Sequence, residues 1–316
     1  MKCSVLSDAC ELLNAAFAGS VPEDWCSTFL SAVFKKGDPA YLDNYRGIAV
    51  GACMGKVFSL ILHSRLSQWS ESQGIRAVGQ AGFRDGYRTS DHVFVLKHLV
   101  DRCRAPGTQQ KTLFACFVDF RKAYDLVHRD PLIQCLSDLG VKGRMLVTLA
   151  SMYWHAPMTV KNGAALGSTF TSTGGVKQGD PLSPLLFGIF IDRFEKWLAE
   201  RLPDIGVELG AQLVRVLLYA DDLTLLASSA EDLQAVLNAL HEFSMLNSLE
   251  VNVAKCAVVV FGRSAPRPGQ DIPEGGWVYS GQAIPLVSEF RYLGIVFHQT
   301  PLRGCLHACS RFTLLE

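Results

Sequence analysis

Three aspartates lie at the ends of apolar segments, and their type and spacing could support metal-ion chemistry. Asp221 and Asp222 are adjacent and have an apolar run on each side, and the apolar run 113–118 ends on Asp119 about a hundred residues earlier. Ionised carboxylates beside a hydrophobic core are costly unless a cation pairs with them. Carboxylate oxygens are ligands that hard divalent cations prefer. The pattern therefore predicts a shared cation site of the kind that supports phosphoryl transfer.

The elements that carry these aspartates can be predicted from apolar periodicity. The two runs around 221–222 predict a β-hairpin with a tight turn, and 113–118 predicts a buried strand. An Asp-Asp pair is also common in solvated turns, so the pair alone leaves that alternative open. Further strands are predicted at 258–261 and within 290–297, with a loop from 262 to 276. Helical spacing predicts helices over 4–18, 51–69, 124–140, 184–201 and after a Ser229/Asp232 capping box.

Composition favours a folded enzyme but does not identify its reaction. The chain has 316 residues, of which 49% are hydrophobic and 19% charged, and this excludes a disordered protein. The formal net charge is zero, although residues 35–104 carry 11 Lys/Arg and 6 Asp/Glu. An excess of positive charge in this N-terminal part of the chain suits a protein that binds phosphates in one lobe and cations in the other. The alternative is that this uneven distribution of charge along the chain arose by chance.

Cysteine usage and hydropathy argue against secretion and membrane insertion. The ten cysteines show no paired spacing, and no leader-like segment opens the chain. No apolar run approaches the roughly 18 residues needed to cross a bilayer. The ligand types His298, Cys305, His307 and Cys309 are irregularly spaced, which does not favour a zinc site.

A glycine-rich loop at 174–184 precedes the predicted helix 184–201. Backbone exposed by glycines beside a helix N-terminus can approach a phosphate-bearing substrate closely. The alternative is an ordinary strand-to-helix turn.

The order and spacing of several blocks resemble reverse transcriptases, most closely those of non-LTR (LINE-like) retrotransposons. The blocks that resemble palm motifs are FVDFRKAYD at 117–125, GVKQGDPLSPLLF at 175–187, YADD at 219–222, LEVN at 249–252 with Lys255, and RYLG at 291–294. The blocks that resemble fingers motifs are KKGD at 35–38, NYR at 44–46, and QAGFR at 80–84 with Thr89 and Asp91. One departure is Ser248, which stands where the family usually has glycine.

The resemblance implies an α+β fold of the right-hand polymerase type, with palm and fingers and an antiparallel palm sheet backed by helices. The implied regions are an N-terminal helical lead-in at 1–30, a fingers-like region at 31–112, a palm at 113–262, a loop and primer-grip-like hairpin at 263–298, and a truncated C-terminal segment at 299–316. Because 19 residues follow Phe297, we expect the thumb to be largely missing.

The resemblance also implies an RNA-directed DNA polymerase that adds dNTPs to a primer 3′-hydroxyl by a two-metal-ion mechanism. Asp119 and Asp221 would hold two Mg²⁺ ions, with Mn²⁺ a possible substitute. Asp222 would be a third carboxylate, and the Phe120 carbonyl a further ligand. Lys255 would be the acid for the departing pyrophosphate, although a surface lysine is the alternative.

Further roles follow from the same resemblance. Arg84 would grip the triphosphate, Tyr124 would exclude a ribose 2′-hydroxyl, and Gln178 would support the nucleotide or template base. Ordinary alternatives are a solvated turn arginine at Arg84 and a core aromatic at Tyr124. The implied template and primer contacts are Gly179, Tyr292, Leu293 and Gly294.

The implied partners are an RNA template, a DNA primer and dNTPs, without a membrane and with the oligomeric state left open. Cytoplasm and nucleus are both expected from the resemblance. The main alternative is a catalytically silent remnant, or an RNA-binding fragment that keeps the fold without a thumb. Among active enzymes, a reverse transcriptase of the group II intron type is the nearer alternative. An RNA-templated RNA polymerase is disfavoured by Tyr124 and by the YADD context.

Overall fold

The computed structural model describes residues 2–300 except 20, 109–111, 155, 264 and 266–275. Most of the predicted C-terminal segment and of the predicted 262–276 loop therefore lies outside the described residues, as do Cys305, His307 and Cys309.

The chain is an α+β protein with mainly antiparallel sheets, as the family resemblance implied. The helices in the described residues are α1 (Lys2–Ala18), α2 (Glu23–Cys26), α3 (Cys53–Ser72), α4 (Thr89–Arg104), α5 (Ala123–Leu126), α6 (Arg129–Asp138), α7 (Gly143–Trp154), α8 (Ser183–Arg201) and α9 (Ala230–Asn247). The strands are β1 (Thr28–Phe34), β2 (Tyr45–Gly51), β3 (Thr112–Val118), β4 (Ala156–Asn162), β5 (Ala165–Ser172), β6 (Val207–Leu209), β7 (Gln212–Val214), β8 (Val216–Tyr219), β9 (Asp222–Ala227), β10 (Ala257–Gly262), β11 (Trp277–Tyr279), β12 (Gln282–Ile284), β13 (Glu289–Tyr292) and β14 (Ile295–His298). Within the described residues, no helix combines the length and apolar character that a membrane span requires.

The chain divides into two compact units, each made from two separate stretches of sequence. Unit 1 comprises Met1–Arg76 and Lys122–Ile191, and unit 2 comprises Ala77–Arg121 and Asp192–Glu316. The functional regions implied by the family resemblance stay predictions.

Unit 1 is built on a sheet with strand order β2-β1-β4-β5. β1 pairs antiparallel with β2 and parallel with β4, and β4 and β5 form an antiparallel hairpin. The predicted helix 51–69 is confirmed as α3. Its residues Phe58, Leu62 and Leu66 recur every four positions and are buried, as expected of one face of a helix.

Unit 2 contains an antiparallel sheet with strand order β10-β3-β9-β8. Every residue of β3 from Leu113 to Val118 is buried, and so is most of β9 and β10, which explains why these strands read as continuous apolar runs rather than alternating ones. Helices α4 and α9 both pack against this sheet. The packed sheet therefore supports the residues at the ends of its strands.

The prediction of one helix over 124–140 is wrong. α5 ends at Leu126 and α6 begins at Arg129, with extended backbone at Val127 and His128. The Val127 carbonyl accepts a hydrogen bond from the amide of Gly175 at 2.9 Å, so it does not continue a helical ladder. Pro131, which lacks a backbone N–H, is tolerated in the first turn of a new helix.

Helix α9 begins and ends with recognisable caps. The Ser229 side chain accepts from the Asp232 amide at 3.0 Å, which confirms one half of the predicted capping box, while the Asp232 carboxylate accepts from the Ser228 hydroxyl at 3.1 Å. At the other end, Ser248 adopts φ 54° and ψ 36°, a left-handed conformation that favours glycine. The departure from the family pattern at this position therefore carries backbone strain.

We expect Ser248→Gly to raise the free energy of unfolding by roughly 0.5–1 kcal/mol, because glycine adopts the left-handed region without strain. Chemical denaturation of the parent and the variant measures this change. Ser64→Gly, at an exposed position inside α3, is the matched control and should lower stability by a similar amount. Equal losses from both substitutions would contradict the strain assigned to Ser248.

Candidate functional site

Two neighbouring strands end at the aspartates singled out from the sequence. The β3–β9 ladder ends at the pair Val118↔Leu223, so Asp119 and Asp222 are the next residues on adjacent strands. β8 and β9 are joined by a two-residue turn, Ala220 and Asp221, and Asp222 is the first residue of β9. Adjacent residues across an antiparallel ladder lie about 5 Å apart at their Cα atoms. Unit 2 therefore brings the three aspartates to one end of its sheet.

The carboxylates affect one another electrostatically. The pKa of Asp222 is raised to about 6, first by desolvation against the neighbouring protein and then by the negative charges of Asp221 and Asp119. The Asp222 residue as a whole is exposed, so solvent screens part of this effect. Desolvation is the larger cause, and the charges of Asp221 and Asp119 act in the same direction.

Lys255 lies at the same site. Its Nζ is 3.3 Å from Asp119 Oδ2, as an ion pair. That oxygen is buried and has no hydrogen-bond donor among the described residues in good geometry. In the described part of the chain, no three His, Cys, Asp or Glu side chains are gathered tightly enough to form a metal cage. The aspartates are thus close neighbours rather than a complete coordination sphere.

Phe120 follows Asp119 and forms an antiparallel bridge with Val251. The amide of Asn252 donates to the Asp119 carbonyl at 2.8 Å, and that of Arg121 donates to the Glu250 carbonyl at 2.7 Å. In such a bridge, the N–H and C=O of the central residue point away from the partner segment. The Phe120 carbonyl is therefore turned toward the side on which β9 lies.

A cavity of about 350 Å³ lies beside the aspartates within unit 2. Its lining includes Asp119, Asp222, Lys255, Tyr292 and Leu293. The last two belong to the β13–β14 hairpin, so three of the four predicted catalytic residues and two of the predicted template and primer contacts line one cavity.

The β13–β14 hairpin turns at Leu293 and Gly294, which have φ of 45° and 87°. Positive φ at both central residues is typical of a type I′ turn. Tyr292 is only 3% exposed and packs on Phe117, so its ring belongs to the core while the turn forms the accessible tip.

Arg84 is half-buried in unit 2. Its guanidinium donates to the carbonyls of Ala77 and Gln80, both at 2.8 Å, and lies over the Tyr87 ring at 4.4 Å. Arg84, which is predicted to bind the triphosphate, therefore also stabilises the loop that carries it.

Tyr124, Gln178 and Gly179 belong to unit 1. The Tyr124 ring stacks on the buried Phe187, with centroids 4.8 Å apart and planes 22° apart. The Gln178 carbonyl accepts from the Ala49 amide at 2.7 Å. Gly179 has φ 109°, and a Cβ there would lie 2.9 Å from the Ala49 carbonyl oxygen, so only glycine fits without a shift.

Two buried cations that the sequence did not single out hold this glycine-rich loop. Arg129 donates to the carbonyls of Gly174 and Gly175 at 2.9 and 3.0 Å and to the hydroxyl of Ser172 at 2.9 Å. Lys177 donates to the Cys26 carbonyl at 2.8 Å, and burial lowers its pKa. Their partners are distant in sequence, so no local pattern could have revealed these roles.

His92 of α4 is another residue that sequence reasoning missed. It is 5% exposed, its Nδ1 lies 3.3 Å from the Tyr292 hydroxyl, and its ring contacts the Tyr219 ring edge-on at 6.3 Å. Burial lowers the pKa of His92 to about 4, with a smaller opposing effect from Asp91. A neutral His92 therefore links the β13–β14 hairpin to the strand that leads into the Asp221 turn.

Residues 33–297 match the family described as reverse transcriptase (RNA-dependent DNA polymerase). This match covers most of the chain, so the chain belongs to the reverse transcriptase family. Reverse transcriptase domains generally use divalent metal ions, which agrees with the chemistry of the grouped aspartates.

Relatives narrow the class. The chain is 28% identical over 239 residues to a Pol polyprotein of the R2 retrotransposable element of Popillia japonica, covering 75% of this chain and 32% of that protein. It is 26% identical over 269 residues to the R2DM protein of Drosophila melanogaster, covering 83% and 24%. A probable RNA-directed DNA polymerase from transposon BS of the same fly is 27% identical over 288 residues, covering 87% and 30%. The chain is a reverse transcriptase domain of the non-LTR retrotransposon type, and it spans about a third or less of these relatives.

Solved structures establish the fold independently. Apo telomerase from Candida tropicalis, truncated from its C-terminal domain, superposes with a TM-score of 0.61 at 13% identity, covering 88% of this chain and 54% of that one. Identity this low supports the fold alone.

We expect acid to destabilise the protein through His92. Its pKa is below the ordinary 6.5 in the folded state, so only the unfolded chain binds a proton as the pH falls from about 6.5 toward about 4. The stabilisation present above this window is lost within it, by on the order of 3 kcal/mol. Thermal unfolding followed between about pH 7 and about pH 5 should show a shallower pH dependence for His92→Gln than for the parent.

His98→Gln is the matched control, because His98 lies on the exposed face of the same helix. It should leave the parent's pH dependence unchanged. An unchanged slope in His92→Gln would mean that another group is responsible.

Proposed function

We propose that this chain is an RNA-directed DNA polymerase of a non-LTR retrotransposon, which extends a primer 3′-hydroxyl with dNTPs on an RNA template. The observation that carries the proposal is the position of Asp119, Asp221 and Asp222 at one end of the unit 2 sheet. The family match and a relative named as an RNA-directed DNA polymerase support the same activity. A telomerase of the same fold has been solved with a fragment of telomeric RNA, which supports RNA as the template.

The donor set fits divalent cations. Oxygens from three mutually repelling carboxylates, with the Phe120 carbonyl turned toward β9, offer hard ligands and excess negative charge. The buried Oδ2 of Asp119 lacks a well-oriented hydrogen-bond donor among the described residues, so a cation would satisfy it. Asp119, Asp221, Asp222 and the Phe120 carbonyl would hold two Mg²⁺, with Mn²⁺ as a substitute.

When bound, such cations lower the pKa of an attacking hydroxyl and neutralise the charge of a leaving pyrophosphate. The protein's own residues perform the remaining steps. Lys255, whose Nζ forms an ion pair with Asp119, would donate a proton from Nζ to the leaving pyrophosphate. The planar guanidinium of Arg84 would bind the triphosphate through paired N–H donors, which match the spacing of two phosphate oxygens.

We assign the discrimination between deoxyribonucleotides and ribonucleotides to unit 1. The Tyr124 ring is fixed by its stacking on Phe187, so it cannot easily yield to a ribose 2′-hydroxyl. Gln178 and Gly179 would present the anchored backbone of the glycine-rich loop to the nucleotide and template. In unit 2, Leu293 and Gly294 at the hairpin tip would contact the primer, with Tyr292 beneath them as support.

We expect Asp221→Asn to reduce extension of a DNA primer on an RNA template by at least about a hundredfold, because it removes several kcal/mol of transition-state charge stabilisation. Without added metal, the same variant should be at least as stable as the parent, because a repelling charge is gone. Primer extension with Mg²⁺ and thermal unfolding measure the two effects.

Asp204→Asn, at an exposed position before β6, is the matched control and should change neither property. Loss of extension by both variants, or by neither, would contradict the proposed carboxylate site. A folded parent that does not extend any primer would identify the chain as a catalytically silent polymerase fold instead.

We expect Tyr124→Ala to raise incorporation of ribonucleotides relative to deoxynucleotides by roughly 10- to 100-fold, because the steric block is removed. Tyr124→Phe is the matched control and should keep the parent's preference, since the ring rather than the hydroxyl excludes the sugar. The measurement is the ratio of kcat/KM for an rNTP to kcat/KM for the matching dNTP, in the parent and in both variants. An unchanged ratio in Tyr124→Ala would remove Tyr124 from sugar selection.

A further inference from the structure

The segment 79–82 runs along the edge strand β8, next to the turn that carries Asp221. The Ala81 amide donates to the Leu218 carbonyl at 2.9 Å, and the Leu218 amide donates to the Gly79 carbonyl at 2.6 Å. Together these bonds form a short parallel bridge between Gln80 and Leu218. The bridge places the Gln80 side chain within reach of the turn.

Both ends of the Gln80 carboxamide are used, and the side chain is fully buried. Oε1 accepts from the amides of Gly82 at 2.8 Å and Ala220 at 3.1 Å. Nε2 donates to Asp192 Oδ1 at 3.1 Å, and Asp192 Oδ2 accepts from the Ala77 amide at 3.3 Å. Of the common side chains of this length, only glutamine supplies both an acceptor and a donor without charge.

The turn needs such support. Ala220 has φ 58°, which is unfavourable for a residue with a Cβ, so its amide is held in a strained turn. Gly82 packs so closely that a Cβ there would collide with the Ala220 backbone nitrogen. The backbone of 79–82 therefore fits against the turn, and Gln80 supplies the hydrogen bond that joins them.

The same segment holds Arg84, whose guanidinium donates to the Gln80 carbonyl at 2.8 Å. The backbone of Gln80 thus contacts Arg84 while its side chain contacts the Asp221 turn. We propose that Gln80 is a positioning residue, which fixes the carboxylate-bearing turn relative to Arg84 so that cation and triphosphate are bound in one geometry. This inference rests on the proposed polymerase function, and no role for Gln80 follows from the family resemblance.

The first test is kinetic. Gln80→Glu keeps the shape and both acceptor bonds, but when ionised it replaces the donor to Asp192 with a second carboxylate. The assay is run at the alkaline end of the range in which the parent is active, because the buried carboxyl pair would otherwise share a proton and re-form the bond. We expect kcat for primer extension to fall at least tenfold with saturating dNTP, while binding of the RNA–DNA primer-template stays within about twofold of the parent.

Adding Asp192→Asn to Gln80→Glu should restore at least half of the lost kcat. The amide introduced at position 192 can donate to the carboxylate introduced at position 80, so the hydrogen bond re-forms in the reverse direction. Comparison with Asp192→Asn alone completes a double-mutant cycle.

Gln234→Glu is the matched control. Gln234 also uses both ends of its carboxamide, donating to the Val278 carbonyl at 2.8 Å and accepting from the Val278 amide at 2.9 Å. The substitution should lower stability without lowering kcat. A Gln80→Glu variant that extends primers like the parent, or a double variant that refolds without regaining activity, would overturn the positioning role.

A second readout does not depend on activity. Gln80→Met removes the acceptor of the Ala220 amide, so hydrogen exchange at Ala220 should become at least about tenfold faster, while exchange across β3 stays unchanged. Unchanged protection at Ala220 would overturn the proposal even if the parent is active. Faster exchange in Gln80→Met, together with a parent that does not extend primers, would support the contact and reject only the polymerase function.

Discussion

Repulsion among the carboxylates of Asp119, Asp221 and Asp222 is the constraint on which the site depends. Desolvation at the end of an apolar sheet, and then the negative charges of Asp221 and Asp119, raise the pKa of Asp222 to about 6, and the three carboxylates would separate if the backbone allowed it. The β3–β9 ladder and the two-residue turn do not allow it, because each fixes a backbone position. The stability of the buried sheet is therefore what keeps these carboxylates together at the proposed cation site.

Backbone geometry, more than side-chain contact, sets the remaining positions. Ala220, Leu293 and Ser248 all have φ near 50°, and each stands at a turn or helix end that the surrounding structure enforces. Left-handed conformations of this kind cost on the order of 1 kcal/mol per residue. At Ala220 the conformation is supported by the buried Gln80 carboxamide, which accepts from the turn amide, whereas Ser248 is supported by the backbone bond from its amide to the Ser244 carbonyl.

Local patterns in the sequence were sufficient for some elements and not for others. The hairpin around Asp221 and the strand before Asp119 could be predicted because apolar runs and turn residues are adjacent in sequence. The break at Val127 had a local signal that apolar periodicity does not include, because Pro131 cannot donate to the Val127 carbonyl four residues earlier and its ring would clash there. The partner that this carbonyl finds instead, the Gly175 amide nearly fifty residues later, could not be predicted locally. The roles of His92 and Arg129 were missed for the same reason, since their partners come from distant elements.

The two compact units divide the proposed chemistry between them. Unit 2 carries the aspartates and Lys255, while unit 1 carries Tyr124 and the glycine-rich loop. Asp119 is fixed by the end of β3, and Tyr124 by its stacking on Phe187, although only four residues separate them in the sequence. The proposed cation binding and the proposed sugar selection therefore depend on different cores. A substitution that loosens one core should alter one property while the other is kept, which makes the two functions separable by mutation.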